Sequence, residues 1–334
     1  MAVVKPFKGI RPPQNIAEDL ACLPYDVMNT EEAREMAKGN DKSFLHITRS
    51  EIDFPEGTDP HSQEVYDKSK ENFKKFMEQG WLKQEDKPKF YIYAQTMNNK
   101  TQYGIVGAAA VDDYLNGIIK KHELTRPDKE EDRMKIIRVN NADLEPVFFT
   151  YPAVPEIDEI VNSVVNSKDP EYDFVANDGF GHHFWVVDKD ETNEQIEQLF
   201  AEKVPYTYVA DGHHRTAAAA LVGKERRDNN PNHTGDEAYN FFMAVHFPDN
   251  QLQILDYNRV IKDLNGHSSE EFMNKLKESF TIEEKGADPY RPQKLHEFSM
   301  YLDGKWYRLE AKENTYDDND PIGVLDVTIL TKQV

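Results

Sequence analysis

The sequence predicts an α/β fold of the α+β kind, with a mixed, partly antiparallel sheet and one strand that leads directly into a helix. Residues 206–210 are β-branched and aromatic, Asp211-Gly212 is a sharp turn signal, and an alanine-rich run with high helix propensity follows. Residues 90–97 and 102–114 have the pattern of a hairpin. Hairpins therefore mix with isolated strand–helix units, which differs from a regular βαβ alternation.

Composition narrows the class of protein. The 334 residues are 38% apolar and 30% charged, which predicts a soluble globular chain with one large domain or two. Its 40 basic and 61 acidic residues give a net charge of −21, so we expect no nucleic-acid partner. We find no apolar run of membrane length and no signal-peptide pattern at the start, and the single Cys22 excludes an internal disulfide. These features predict a cytoplasmic protein without a membrane partner, and leave the oligomeric state open.

Local patterns predict the elements of the N-terminal third. Residues 30–38 read as a short helix that ends at Gly39, and residues 62–80 read as an amphipathic helix. Residues 44–48 read as a strand that carries His46, which we expect to be a paired core residue. Asp26 precedes the first of these helices, and its role stays open between capping and facing a site.

The middle of the chain continues this alternation. Residues 147–151 read as a strand, residues 157–166 and 191–200 as helices, and residues 179–183 as a turn before a strand over 184–187. This turn carries His182 and His183, which resemble a pair of metal ligands. Adjacent side chains on a strand point to opposite faces, and no spacing in the chain matches a zinc site, so we expect no chelating pair.

A change of pattern near residue 265 predicts a second domain. Residues 239–247 read as a strand with an antiparallel partner over 252–261, and beyond them come a helix over 269–280 and a hairpin over 298–309. We therefore predict a core over residues 1–265, with insertions, and a smaller α+β subdomain over 266–334.

The start of the alanine-rich helix is a candidate anion site. The first amides of a helix lack internal partners and carry the positive end of its dipole, so they bind phosphate readily. We predict that phosphate binds over residues 212–216, which are Gly212, His213, His214, Arg215 and Thr216. Arg215 is the expected fork donor, with either histidine assisting. The alternative is that Asp211 caps the helix and the polar residues face water. The chain lacks both the P-loop and the dinucleotide motif.

The stretch 122–133 is a second candidate. Nine of its twelve residues are charged or histidine. Such a run is often a solvated helix. It follows an apolar segment, however, and mixes both signs before the helix, which fits a loop aimed at a charged ligand. Glu123, Arg126 and Asp128 are the candidate residues, and Arg126 suits a carboxylate as a fork donor.

These motifs carry a family resemblance. Asp211-Gly212-His213-His214-Arg215, followed by small residues, resembles the phosphate-binding signature of the ParB/sulfiredoxin superfamily. With the stretches 23–27, 43–49 and 121–133, the whole chain resembles the bacterial family catalogued as domain of unknown function 1015. The superfamily includes sulfiredoxins, which use ATP, ParB proteins, which use CTP, and kinases of free serine. Sulfiredoxin has its reactive cysteine within the signature. This chain has histidine there, and sulfinic acid reduction is therefore not expected.

The resemblance implies a ParB/sulfiredoxin-like nucleotide-binding core in residues 1–265. It also implies a kinase that uses ATP or ADP with magnesium to phosphorylate a small hydroxylated metabolite, with free serine as the leading candidate. Members of the family run further than Val334, so we expect the C-terminal subdomain to be truncated here.

Phosphoryl transfer needs positive charge on the phosphates and a carboxylate near the attacking hydroxyl. The expected catalytic residues are Asp211, Glu123 and His213, with Asp211 as the magnesium ligand; those expected to bind the substrate are Arg126, Asp128 and Asp26. Two alternatives stay open: a nucleotide-binding regulatory module without catalysis, and a metal-dependent hydrolase that uses the histidines.

Overall fold

The computed structural model describes residues 1–253, 255–320 and 322–334. The chain forms two compact units, Met1–Gln253 and Ile254–Val334. The helices are α1 (Ala17–Leu20), α2 (Thr30–Ala37), α3 (Leu45–Thr48), α4 (Gln63–Glu78), α5 (Val111–Leu115), α6 (Pro127–Asn140), α7 (Pro155–Ser167), α8 (Asp190–Lys203), α9 (His213–Asp228), α10 (Ser269–Ser279) and α11 (Asp326–Gln333). The strands are β1 (Val4–Lys5), β2 (Ile10–Arg11), β3 (Lys83–Gln84), β4 (Tyr91–Met97), β5 (Lys100–Ala110), β6 (Ile119–Lys120), β7 (Val147–Tyr151), β8 (Tyr172–Val175), β9 (Gly181–Val186), β10 (Thr207–Asp211), β11 (Phe241–Pro248), β12 (Phe280–Gly286), β13 (Glu297–Leu302) and β14 (Lys305–Ala311).

A nine-stranded sheet forms the centre of the first unit. Eight of its strands follow the order β6-β10-β7-β11-β5-β4-β9-β8, and β1 pairs with β5 outside this path. The pairs β6–β10 and β7–β11 are parallel, and the other pairs are antiparallel. The predicted mixed sheet is confirmed, as is the hairpin, which β4 and β5 form.

Helices pack against this sheet through two hydrophobic clusters. In one cluster, Ile157 of α7 and Phe200 of α8 lie fully buried with Ile92 of β4. In the other, Ala219 and Ala220 of α9 pack against strands β7, β10 and β11. Alanine has the smallest side chain that still favours a helix, so α9 can lie close to the sheet. This packing fixes the direction of α9 and therefore the position of its first turn.

Residues 44–48, predicted as a strand, instead form the short helix α3 with one flanking residue. Leu45, Ile47 and Thr48 are all buried, and the first two pack into clusters that lie outside the large sheet. Because the segment is buried on several sides, its alternation of apolar residues gave no reliable period. His46 lies 2.6 Å from the Asp53 carboxylate through Nδ1, as a paired residue.

Residues 252–261, predicted as the antiparallel partner of β11, contain no strand among their described positions, and Ile254 lies outside the described residues. The reason lies in β11 itself. Strand β5 pairs along one of its edges and β7 along the other, so no edge is free for a further partner. Tyr257 and Val260 are consequently exposed, at 86% and 97%.

The second unit is built on a three-stranded antiparallel sheet in the order β12-β14-β13. Its core includes the buried residues Leu276, Phe280 and Ile329. Helix α10 begins with a capping box, in which Ser268 and Glu271 satisfy each other's backbone amides. The predicted hairpin over 298–309 is confirmed as β13 and β14, and Asp303 and Gly304 supply the positive φ angles of its turn.

Candidate functional site

The predicted strand–turn–helix is present as β10, Gly212 and α9. A β-bulge lies between Val209 and Asp211 at the end of the strand. Gly212 then adopts a left-handed conformation with φ of 88° and serves as the N-cap residue of α9, without any side-chain cap. A Cβ at Gly212 would lie 3.1 Å from Nε of Arg215. The interpretation of Asp211 as the cap is therefore wrong, since Asp211 precedes the cap residue.

The first turn of α9 has free backbone donors. The amide of Thr216 donates to the carbonyl of Gly212 over 2.9 Å and closes the first turn. The amides of His213, His214 and Arg215 meet no acceptor within the described part of the chain. Three free amides at the positive end of a 16-residue helix form a cradle for an anion. The Thr216 hydroxyl is turned away from this cradle, because it is fully buried and donates to the Gly212 carbonyl.

Arg215 points inward and joins three parts of the chain. Its Nη2 donates to Oδ2 of Asp211 over 2.6 Å, and its Nη1 donates to the carbonyl of Pro146, just before β7, over 2.8 Å. The Arg215 side chain is 10% exposed and that of Asp211 is 64% exposed. Nε of Arg215 is buried and has no hydrogen-bond partner among the described residues. Arg215 thus fixes the Asp211 carboxylate beside the amide cradle.

A small cavity lies on the inner side of Arg215. Its volume is about 30 Å³, and charged residues in its lining include Arg133, Asp143 and Glu145. This volume suits about one or two water molecules and is far too small for a nucleotide. Burial raises the pKa of Glu145, which accepts a hydrogen bond from the Tyr25 amide over 3.0 Å. The charged residues named here line the cavity together with Arg215.

His213 has the most unusual environment of the candidates. Its Nδ1 lies 3.4 Å from Oε2 of Glu123, and the ring of His122 meets its ring edge to face at 4.4 Å. The residue is 7% exposed, and its Nε2 is buried without a hydrogen-bond partner in the described chain. Burial, together with the nearby His122, lowers the pKa of His213, so the imidazole is neutral at pH 7. The carboxylate favours the proton on Nδ1, which leaves a lone pair on Nε2.

The loop before α6 reaches the same helix start. The amide of Arg126 donates to Nε2 of His214 over 3.1 Å. The Arg126 guanidinium donates to Asp128 over 2.6 Å, both side chains are exposed, and this contact lowers the pKa of Asp128. Asp26 is exposed, and its charge adds to the effect of burial in raising the pKa of Glu145. The structure therefore brings the loop candidates to the start of α9, while Asp26 interacts with Glu145 instead.

Three residues of the site escaped prediction. His122 contacts His213 directly, and the signal that could have identified it is its position at the start of the charged stretch. Arg133 lies 3.6 Å above the ring of Tyr25 and donates to Asp132 over 2.6 Å. Glu145 sits behind Arg215, and the sequence gives no sign of its burial.

The second histidine pair is divided between the two faces of the sheet, as predicted. His182 lies 2.6 Å from the hydroxyl of Tyr93, and His183 lies 2.8 Å from Asp173. Residues 1–253, 255–320 and 322–334 contain no group of three or more His, Cys, Asp or Glu side chains arranged to hold a metal ion. A metal-dependent hydrolase therefore has no supporting cluster in these residues.

Comparisons with known proteins complete the description of the site. Among the residues that the structure describes, no helix has the length and apolar character needed to cross a membrane. No curated protein and no solved structure matches the chain. The family described as "Protein of unknown function (DUF1015)" matches residues 4–328. The chain therefore belongs to the DUF1015 family.

Proposed function

We propose that the protein is a nucleotide-dependent kinase that phosphorylates a small hydroxylated metabolite. One observation carries this proposal: His213, whose Nε2 has no hydrogen-bond partner among the described residues, stands on the helix turn whose first three amides meet no acceptor there. Phosphoryl transfer needs a group that handles the hydroxyl or the phosphoryl beside a cradle for the phosphate charge. Here both lie within one turn of α9.

The cradle suits the phosphates of ATP or ADP. Backbone amides and the helix dipole bind anions without regard to the base, so they do not choose between the two nucleotides. Asp211 is the residue that would hold magnesium, because its carboxylate is exposed beside the cradle and only Oδ2 is engaged by Arg215. Magnesium is commonly bound by one or two carboxylates together with substrate phosphates, whose charge it neutralises.

Arg126 and Asp128 are the proposed contacts of the metabolite. They form an exposed ion pair on the loop that contacts His214. An amino acid has a carboxylate and an ammonium group, and it can exchange with such a pair because exposed ion pairs are weak. Free serine is the leading acceptor because the chain resembles free-serine kinases. The likeness to the ParB/sulfiredoxin superfamily stays a prediction.

The test is a direct assay of transfer. The protein is incubated with magnesium, with ATP, ADP or CTP, and with a panel of amino acids and sugars, and products are read by mass spectrometry and phosphorus NMR. We expect one phosphorylated acceptor and the matching loss of nucleotide. Nucleotide binding without any phosphorylated acceptor would contradict the kinase proposal.

A nucleotide-binding regulatory module is the second candidate. The observation that favours it is that both candidate carboxylates already have partners: Asp211 contacts Arg215, and Glu123 contacts His213. A phosphate that drew Arg215 or His213 away would rearrange these contacts without any chemistry. Calorimetry with ATP, ADP and CTP, run beside the transfer assay, separates the two functions, since the module binds and leaves its nucleotide intact.

A further inference from the structure

We infer that His213 is itself phosphorylated, at Nε2, and passes the phosphoryl group on to the acceptor. This inference rests on the proposed function and goes beyond it, because direct transfer from nucleotide to acceptor needs no covalent intermediate. Histidine is among the side chains that form covalent intermediates in enzymes.

The two nitrogens of His213 have separate environments. Glu123 lies 3.4 Å from Nδ1, while Nε2 has no partner within the described chain although the residue is 7% exposed. A buried polar atom without a partner is uncommon in folded proteins. The carboxylate both orients the ring and stabilises the positive charge that the imidazole acquires when Nε2 bonds to phosphorus.

The helix start supplies what a phosphorylated histidine needs. A phosphoryl group carries about two negative charges and three acceptor oxygens. His213 is the first residue of α9, so its side chain belongs to the turn that carries the free amides of residues 213–215 and the positive end of the dipole.

Access to Nε2 involves the surface loop. His122 and Glu123 both contact the His213 ring, and both are exposed. The inferred transfer requires these two surface side chains to move away from the ring, because Nε2 is buried.

The transfer balances in two steps. In the first, the Nε2 lone pair forms a bond to the terminal phosphorus of the nucleotide, the bond from phosphorus to the bridging oxygen breaks, and its electrons leave with the shortened nucleotide. Nδ1 keeps its proton. In the second, the acceptor hydroxyl oxygen attacks the phosphorus, the N–P bond breaks and its electrons return to Nε2. The hydroxyl proton is released to solvent.

The first experiment detects the labelled protein. Full-length protein is incubated with magnesium and ATP labelled on the terminal phosphate, without acceptor, and the label is tested for stability in acid and in alkali. We expect a label that acid removes and alkali preserves, mapped to His213 by mass spectrometry and lost in His213→Gln. The matched control His182→Gln, from the histidine pair on β9, should keep it. A label that persists in His213→Gln would overturn the inference.

The second experiment uses wild-type protein and does not depend on the folding of any variant. Transfer from a nucleotide with a chiral terminal phosphate retains configuration if two displacements occur and inverts it if one occurs. We expect retention. Inversion in the product would overturn the phosphohistidine and leave the kinase proposal intact. A labelled His213 with no acceptor phosphorylated would support the inference while contradicting the chosen acceptors.

Discussion

The chain contains two His-His dipeptides, which lie on different backbone elements and have different partners. His182 and His183 lie on strand β9, where the nearest polar groups are Tyr93 for the first and Asp173 for the second. His213 and His214 begin helix α9, where both rings meet the same loop, through Glu123 and the amide of Arg126. A strand separates two neighbouring side chains by its alternation, while a helix start keeps them at one end of the element.

This difference shows how the same dipeptide acquires a different role. On β9 both rings have partners within the sheet, and His182 also stacks on Phe174 at 5.3 Å. At α9 one ring has a nitrogen without a partner in the described part of the chain, on the same turn as amides that meet no acceptor there. The backbone element therefore decides which pair can meet a ligand, and we expect substitutions in the two pairs to have unequal consequences.

Removing one imidazole from each pair should give the largest contrast. His213→Gln should lower kcat for phosphoryl transfer by at least about 10²–10⁴-fold, the range contributed by a positioned acid–base group. His182→Gln should change kcat by less than about twofold, since its ring lies away from the cradle. Steady-state kinetics on both variants checks this, with circular dichroism to confirm folding. Equal losses in the two variants would remove the distinction.

The carboxylates beside the two pairs offer the next contrast. Asp211→Asn should remove most of the turnover while changing the free energy of unfolding by about 1 kcal/mol or less, because Asp211 is 64% exposed and exposed ion pairs contribute little. Asp173→Asn, at a carboxylate that is 62% exposed beside His183, is the matched control and should keep full turnover. Turnover and urea midpoints measured together give the result, and full activity in Asp211→Asn would exclude it from the chemistry.

Arg215 tests whether the helix start binds phosphate. Arg215→Ala should weaken nucleotide binding by about ten- to a hundredfold, because it removes the charged hydrogen bond, of a kind that contributes about 1.5–3 kcal/mol, that fixes the Asp211 carboxylate beside the cradle. Arg138→Ala is the control. Arg138 belongs to α6 and pairs with Glu225, which lies on α9 far from the first turn of that helix. Calorimetric titration with ATP compares the two variants. An unchanged dissociation constant in Arg215→Ala would place the phosphate elsewhere.

His246 extends the comparison to a histidine outside both pairs, through the pH dependence of the unfolding free energy. Of the four variants, leaving the controls aside, we expect its substitution to have the smallest effect on the protein. It too has a buried Nε2 without a partner among the described residues, but it is fully buried within β11, away from any helix start. Burial lowers its pKa from 6.5 to about 4, so the unfolded chain binds a proton there more readily than the folded protein. Stability that is present above pH 6.5 is therefore lost as pH falls toward 4.

Between pH 7 and pH 5 the loss from His246 should be about 2 kcal/mol, by linkage at about 1.4 kcal/mol for each unit of pKa shift. His246→Leu removes the titrating group and should flatten the slope of the unfolding free energy over this range. Urea unfolding at three pH values measures it. An unchanged slope in the variant would assign the acid sensitivity to other groups.

The sequence predicted elements best where local chemistry decides them. The strand over 147–151 and the alanine-rich helix follow from β-branched, aromatic and alanine runs. The strands predicted over residues 44–48 and 252–261 were wrong because distant neighbours decide the structure of these segments. The first is surrounded by core residues, and the second has no partner because both edges of β11 are already paired.

The sequence named several residues that the structure brings together at the start of α9, but not the contacts between them. Glu123 and His213 are ninety positions apart, so no local pattern shows that they meet. The inward turn of Arg215 depends on the Pro146 carbonyl, which the sequence does not mark. The family match covers residues 4–328 and leaves these contacts to be tested.

The shortness of β6 has a consequence for how the protein responds to heat. This strand has two residues, lies at the edge of the sheet, and pairs there with Thr207 and Tyr208. The loop that delivers Glu123 to His213 begins directly after it. Edges with few pairs open before the core does. Warming should therefore separate Glu123 from His213 before the helices unfold. We expect activity to be lost several degrees below the midpoint of helix unfolding measured by circular dichroism.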